Sequence, residues 1–247
     1  MNYLTAIFAH RGASKYAPEN TMPAFELAYK MNADGIETDV QLSKDHVPIL
    51  IHDETGKRTT DFPGLIKDLT YRQIKELDAG TWFSKQFAGT SIVSLEEFLQ
   101  WIENKPMRIN IELKNNKIDY PHMEAIVFEM VKHFRLLERT TFSSFNERSV
   151  KKLVRLSHDM DVAFITSKKI KQLAHYTEQL GANAVHIKYR LLQAKLVDEL
   201  RQKKLAVRVY TVNKQSLMKK CFQLGSDGIF TDVPDIAVHY HKQFFKS

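Results

Sequence analysis

Short apolar or β-branched runs recur along the chain near residues 6–9, 35–40, 109–113, 139–142, 161–165, 184–187, 206–210 and 228–230. Most are separated by an amphipathic stretch long enough for a helix. Leu95, Phe98, Leu99 and Ile102 recur at helical spacing behind a Ser94-to-Glu97 capping box, and Ile126, Val127, Met130, Val131 and Phe134 form a second such face. Gly181 and Gly225 follow Leu180 and Leu224, where helices commonly stop. Strand–helix alternation implies parallel strands. About eight such units predict an α/β fold of the (β/α)8 TIM-barrel type, with a doubly wound sheet as the alternative.

One stretch breaks this rhythm. The run from Val47 to His52 follows the second strand too closely for a parallel crossover, so the two should form an antiparallel hairpin turning at Ser43-Lys44-Asp45-His46. With Lys44-Asp45 as a two-residue loop, His52 pairs with Glu37, and Asp39 shares their face; a longer loop shifts that register. Residues 53 to about 90 then make an insertion over the mouth of a single barrel domain spanning 1–247.

At 247 residues, 43% hydrophobic and 26% charged, the chain has an ordinary globular composition. No apolar run approaches the roughly 18 residues of a membrane span, so no stable membrane insertion is expected, nor a cleaved leader ahead of His10. The single cysteine, Cys221, sits at helical spacing with Leu217 and Leu224 and reads as core; with no internal disulfide to form, it favours a cytoplasmic protein. The net charge of +7 is carried by scattered lysine pairs without interleaved aromatics. They read as solvated surface rather than a nucleic-acid footprint, and can help to collect an anion.

Candidate chemistry gathers at the strand ends. Glu37 and Asp39 end one strand and Glu112 the next, and on the C-terminal barrel face three carboxylates can hold one hard cation, magnesium or calcium rather than zinc. Taken alone, the Glu37/Asp39 pair reads rather as a solvent-exposed strand edge; its position beside His52 and the barrel mouth favours the ligand reading. His10 ends the first strand, and imidazole takes or gives a proton near neutral pH. His122, His133, His158, His175, His186, His239 and His241 read as packed core residues, and His46 as a turn residue. Arg11 offers a planar fork for two phosphate oxygens and Lys114 a point charge, unless either is an ion-pair partner of the acids. Trp82, Phe83 and Phe87 either line the pocket or pack within the insertion. Asn213 and Asp232 are candidate mouth residues.

The order His10-Arg11-Gly12, Pro18-Glu19-Asn20-Thr21, Glu37-Thr38-Asp39 and Ile51-His52-Asp53 resembles the glycerophosphodiester phosphodiesterase family. The match continues through Asp78-Ala79-Gly80, Trp82-Phe83, Leu95-Glu96-Glu97, Glu112-Leu113-Lys114, Phe142 to Asn146, Thr211-Val212-Asn213 and Asp227 to Asp232. The resemblance implies the same barrel, metal ligation by Glu37, Asp39 and Glu112, and a general acid/base pair in His10 and His52. It favours phosphate contact for Arg11 and Lys114, and a supporting role for Glu19 and Asn20 behind the His10 ring and the metal site. Tyr210 stands where the family commonly has tryptophan, and Val93-Ser94 where it has Pro-Thr, departures that bear on pocket shape and hence on the leaving alcohol.

The expected activity is hydrolysis of a small glycerophosphodiester to glycerol 3-phosphate and an alcohol with one divalent cation, Mg²⁺ or Ca²⁺. Related barrel enzymes imply internal attack by the glycerol 2-hydroxyl. A barrel phospholipase acting on intact lipid, or a catalytically silent phosphate-binding scaffold, are the alternatives.

Overall fold

The computed structural model describes residues 5–157 and 160–246. All eight apolar runs form strands: β1 (Ala6–His10), β2 (Gly35–Leu42), β4 (Arg108–Leu113), β5 (Thr140–Ser144), β6 (Asp161–Thr166), β7 (Ala184–Lys188), β8 (Ala206–Tyr210) and β9 (Gly228–Thr231), with β3 (Pro48–Leu50) between β2 and β4. Neighbours pair in parallel through the series, and β1 pairs with both β2 and β9, so the sheet closes into a barrel. The helices are α1 (Met22–Lys30), α2 (Tyr71–Lys75), α3 (Leu95–Ile102), α4 (Met123–His133), α5 (Glu147–Leu156), α6 (Leu173–Gln179), α7 (Ala194–Gln202), α8 (Gln215–Leu224) and α9 (Pro234–Lys246). The fold is a (β/α)8 barrel with one extra antiparallel strand.

Local chemistry accounts for the helix ends. Ser94 accepts from the Glu97 backbone N–H while the Glu97 side chain accepts from the Ser94 N–H, and α3 buries Leu95, Phe98, Leu99 and Ile102. After α8, Gly225 takes φ +65°, a left-handed conformation that favours glycine. Cys221 is fully buried in α8, and burial pushes its thiol up to about 12.

The hairpin forms with a different register from the one expected. Leu42 pairs with Pro48 and Val40 with Leu50, so the loop is Lys44 to His46, one residue longer. His46, at φ +63°, is the added residue, the left-handed position that a three-residue hairpin loop requires. Extending this register sets His52 across from Thr38 rather than Glu37. Beyond His52 the chain runs through short turns and α2, with its own apolar cluster of Ile49, Ile51, Ile66, Ile74, Ala79 and Ile92.

Polar groups lie inside the barrel beneath its mouth. Arg208 donates to His186 Nε2 at 3.2 Å and to Asp161 Oδ2 at 2.5 Å, and His186 packs against Phe230 with ring centroids 4.9 Å apart. Burial, then the Arg208 charge, holds His186 well below the usual histidine range. The expectation of core histidines holds for His186 alone. His241 is half-buried, whereas His122, His133, His175 and His239 are exposed, since each sits on the outward side of a helix or at its end; His158 lies outside the described residues. Among the described residues, no helix is long and apolar enough to cross a membrane.

Because folded His186 resists a proton that the unfolded chain accepts below a pH of about 6.5, the folded state loses ground as the pH falls through that value. Urea unfolding should show a stability loss of up to roughly 1.4 kcal/mol per pH unit below it. That component should disappear in His186→Gln.

Candidate active site

The parallel register brings the carboxylates together. Glu37 and Asp39 stand two apart on β2, so they point the same way, and Asp39 pairs directly with Glu112 on β4. One oxygen of each carboxylate lies within 4.8 Å of the others. Glu37 and Asp39 are buried and Glu112 nearly so. Buried carboxylates repel one another strongly, and two cations answer that repulsion. Arg11 reaches Glu19 through Nη1 at 2.8 Å and places Nε 3.1 Å from Asp39, while Lys114 lies 2.7 Å from Glu112 and 3.7 Å from Asp39. Burial alone would push Asp39 upward, but the Arg11, Lys114 and His52 charges and the Asn20 hydrogen bond hold it below the usual carboxylate range. Burial and the Asp39 and Glu112 charges push Glu37 well above it.

The loop after β1 supplies the next layer. Arg11, at φ +60°, turns its backbone N–H onto the Glu37 side chain at 3.0 Å. Gly12 follows at φ +81°, where a Cβ would stand 2.7 Å from the Ala24 backbone, so the loop can pack on α1 only with glycine there. Asn20 donates to Asp39 at 3.0 Å and accepts from Thr38 at 2.8 Å, fixing the rotation of the buried carboxylate. Asp39 Oδ1 is left buried with no hydrogen-bond partner. Three converging carboxylates, one of which carries an orphaned buried oxygen, fit a hard divalent cation.

The two expected histidines are held differently from one another. His10 Nδ1 meets Asp232 Oδ1 at 2.7 Å, and Asp232 is itself fixed by Asn213 at 2.6 Å and Ser14 at 3.2 Å. The support behind His10 is therefore Asp232, Asn213 and Ser14, not Glu19. Glu19 instead binds Arg11 and Arg58, because its carboxylate reaches both guanidiniums. His52 Nδ1 meets Asp53 Oδ1 at 2.5 Å, and Asp53 accepts from Arg58 Nε at 2.7 Å. Arg58 and His52 overcome the effect of burial and lower Asp53 to about 2. Asp53 and Arg58 were not singled out from the sequence. Asp53 carried a signal in its place beside His52, but nothing marked Arg58.

A pocket of about 290 Å³ joins His10, Glu37 and Glu112 with Asn110, Phe145, Ile165, His186, Tyr210 and Phe230. Its aromatic wall comes from barrel strands and the loop after β5. Trp82 and Phe83 do not line it: Trp82 Nε1 donates to the Ala79 carbonyl, and the Trp82, Phe83 and Phe87 rings pack edge to face within the insertion. Tyr210 Oη is buried there without a partner.

Residues 10–236 match the model of the glycerophosphoryl diester phosphodiesterase family. The chain belongs to that family. It is 40% identical over 243 residues to a glycerophosphodiester phosphodiesterase of Bacillus altitudinis, covering 97% of this chain and 99% of that one. A glycerophosphodiester phosphodiesterase of Caldanaerobacter subterraneus is 35% identical over 235 residues, covering 95% and 97%. In three dimensions it resembles an Oleispira antarctica phosphodiesterase solved with its product sn-glycerol-3-phosphate, with a TM-score of 0.91, 29% identity and coverage of 97% and 98%.

Asn20→Ala strips the buried Asp39 carboxylate and Thr38 hydroxyl of their shared partner, so it should cost roughly 1–3 kcal/mol in urea unfolding. Asn20→Asp should cost at least as much, since it sets another carboxylate against Asp39.

Proposed function

We propose that the chain hydrolyses glycerophosphodiesters to glycerol 3-phosphate and an alcohol, as one catalytic unit in which the insertion borders the barrel mouth. The observation that carries this is the convergence of Glu37, Asp39 and Glu112 beside a pocket that Glu37 and Glu112 line together with His10, in a family member. The sn-glycerol-3-phosphate in the Oleispira neighbour supports the substrate class. A silent scaffold would gain nothing from burying three mutually repelling carboxylates, a costly arrangement unless a ligand completes it.

Glu37, Asp39 and Glu112 would hold the divalent cation, Mg²⁺ or Ca²⁺, which would supply positive charge to the phosphoryl group and Lewis acidity to the attacking hydroxyl. Arg11 and Lys114, already facing the acids, turn their remaining N–H groups to the phosphate oxygens. His10 and His52 divide the proton transfers: one takes the proton of the attacking hydroxyl, the other delivers a proton to the leaving alcohol oxygen as its bond to phosphorus breaks. Asp232 and Asp53 act through them, fixing each ring by its Nδ1 and leaving Nε2 to the substrate. The attacking group is the glycerol 2-hydroxyl, already held next to the phosphate, and water then opens the cyclic phosphate. A cytoplasmic location belongs to the same reading and rests on the single, buried Cys221 thiol.

Chelation should abolish release of glycerol 3-phosphate from glycerophosphocholine, and Mg²⁺ or Ca²⁺ should restore it; full activity of metal-free protein would refute the cation role. His10→Ala and His52→Ala should each lower kcat by about 10²–10⁴-fold with little change in melting temperature. A 2-deoxy substrate should bind yet turn over far more slowly, and turnover at the parent rate would replace internal attack with direct attack by water.

A further inference from the structure

The lysines that look scattered along the sequence meet on one side of the mouth. The loop after β6 carries Lys168, Lys169 and Lys171, and the segment after β7 carries Arg190 and, at the start of α7, Lys195. Together they line a groove of about 1070 Å³ whose single acid is Glu199, 4.0 Å from Lys195. Lys168, Lys169 and Lys171 are exposed and have no carboxylate within 4.0 Å among the described residues. The loops are tied, not loose: Arg190 Nη2 donates to the Ser167 carbonyl at 2.9 Å, and the Thr166 hydroxyl bonds the Lys168 backbone on both sides at 3.1 Å.

This groove lies on the loops that follow two of the strands lining the catalytic pocket. Ile165, His186 and Tyr210, from β6, β7 and β8, line that pocket, and Lys188 pairs in register with Tyr210. Arg190 stands two residues beyond Lys188. The other groove at the mouth, beside Phe145, is different in character: its Lys117 is paired with Glu54 at 2.9 Å and its Lys152 with Glu124 at 3.2 Å. Among the described residues that line the two grooves, Arg148 is the one cation on the Phe145 side without an ion pair, whereas the β6–β7 side gathers Lys168, Lys169, Lys171 and Arg190.

Building on the phosphodiesterase reading, we propose that the β6–β7 groove is the subsite for the leaving alcohol and selects substrates whose alcohol carries a second anionic group, such as another phosphate. Its cations lie beyond the scissile phosphate, so they act on the alcohol half rather than on the glycerol phosphate that all substrates share. A cationic headgroup such as choline gains nothing there and is repelled.

Three esters read this directly: 1,3-bis(sn-glycero-3-phospho)glycerol, whose leaving half is anionic, glycerophosphoglycerol, whose leaving half is neutral, and glycerophosphocholine, whose leaving half is cationic. With the intact, metal-supplied enzyme, kcat/KM should fall in that order, and added salt should flatten the order as the Debye length shrinks. The triple variant Lys168→Gln/Lys169→Gln/Lys171→Gln should lose about tenfold in kcat/KM on the bis ester. Its turnover of glycerophosphocholine should be unchanged or improved, which also shows that the variant is folded. Equal rates for the three esters, or a preference that survives in the variant, would overturn the groove assignment and leave the phosphodiesterase reading intact. Loss of the preference in the control Lys30→Gln/Lys132→Gln/Lys204→Gln, which removes the same charge from the opposite end of the barrel, would overturn it too, because net charge and not the groove would then be responsible. Failure to cleave any of the three would instead strike the reading beneath it.

Discussion

The repulsion among Glu37, Asp39 and Glu112 governs the architecture around them. Three carboxylates within 4.8 Å, with two of them buried, need positive charge close by, and Arg11 and Lys114 are the residues that supply it. Because Arg11 must reach Asp39, the loop after β1 takes a left-handed turn at Arg11 and Gly12. Because Arg11 is itself only partly exposed, Glu19 faces it, and Glu19 in turn recruits Arg58 from the insertion. A chain of alternating charges therefore runs from the barrel axis to the insertion and back through Asp53 to His52.

The barrel was readable because parallel strands buried on both faces leave continuous apolar runs, and all eight runs reappear as strands. The carboxylate site was readable from residue spacing on adjacent strands. The hairpin register was not, because nothing in Lys44-Asp45-His46 distinguishes a two-residue loop from a three-residue one; only the left-handed His46 decides it. The histidines failed for a related reason. An imidazole on a helix is equally at home in water, so His122, His133, His175 and His239 needed no burial to be satisfied. Arg58 was invisible because its role depends on how the insertion folds back over Glu19, a contact 39 residues away in sequence.

The pocket wall teaches the same lesson about long-range placement. Trp82 and Phe83 have the composition of a binding wall, yet they pack with Phe87 inside the insertion. Phe145, Tyr210 and Phe230 form the wall instead, because they sit at or just past strands whose C-terminal ends surround the acids. Position on the barrel, not aromatic content, assigns the task.

The hydrogen bond between His10 and Asp232 joins residues 222 apart, across the seam where β1 meets β9. A ribosome synthesising this chain makes the acids, His10, His52, Arg11 and Lys114 before β5, yet the partner that fixes His10 is made only after β9. The nascent chain therefore cannot complete the hydrogen-bonded support of His10 until Asp232 has emerged, on the order of ten seconds or more after synthesis begins. Barrel closure doubles as a timer: the site gains this last support only once β9 has been made and docks on β1.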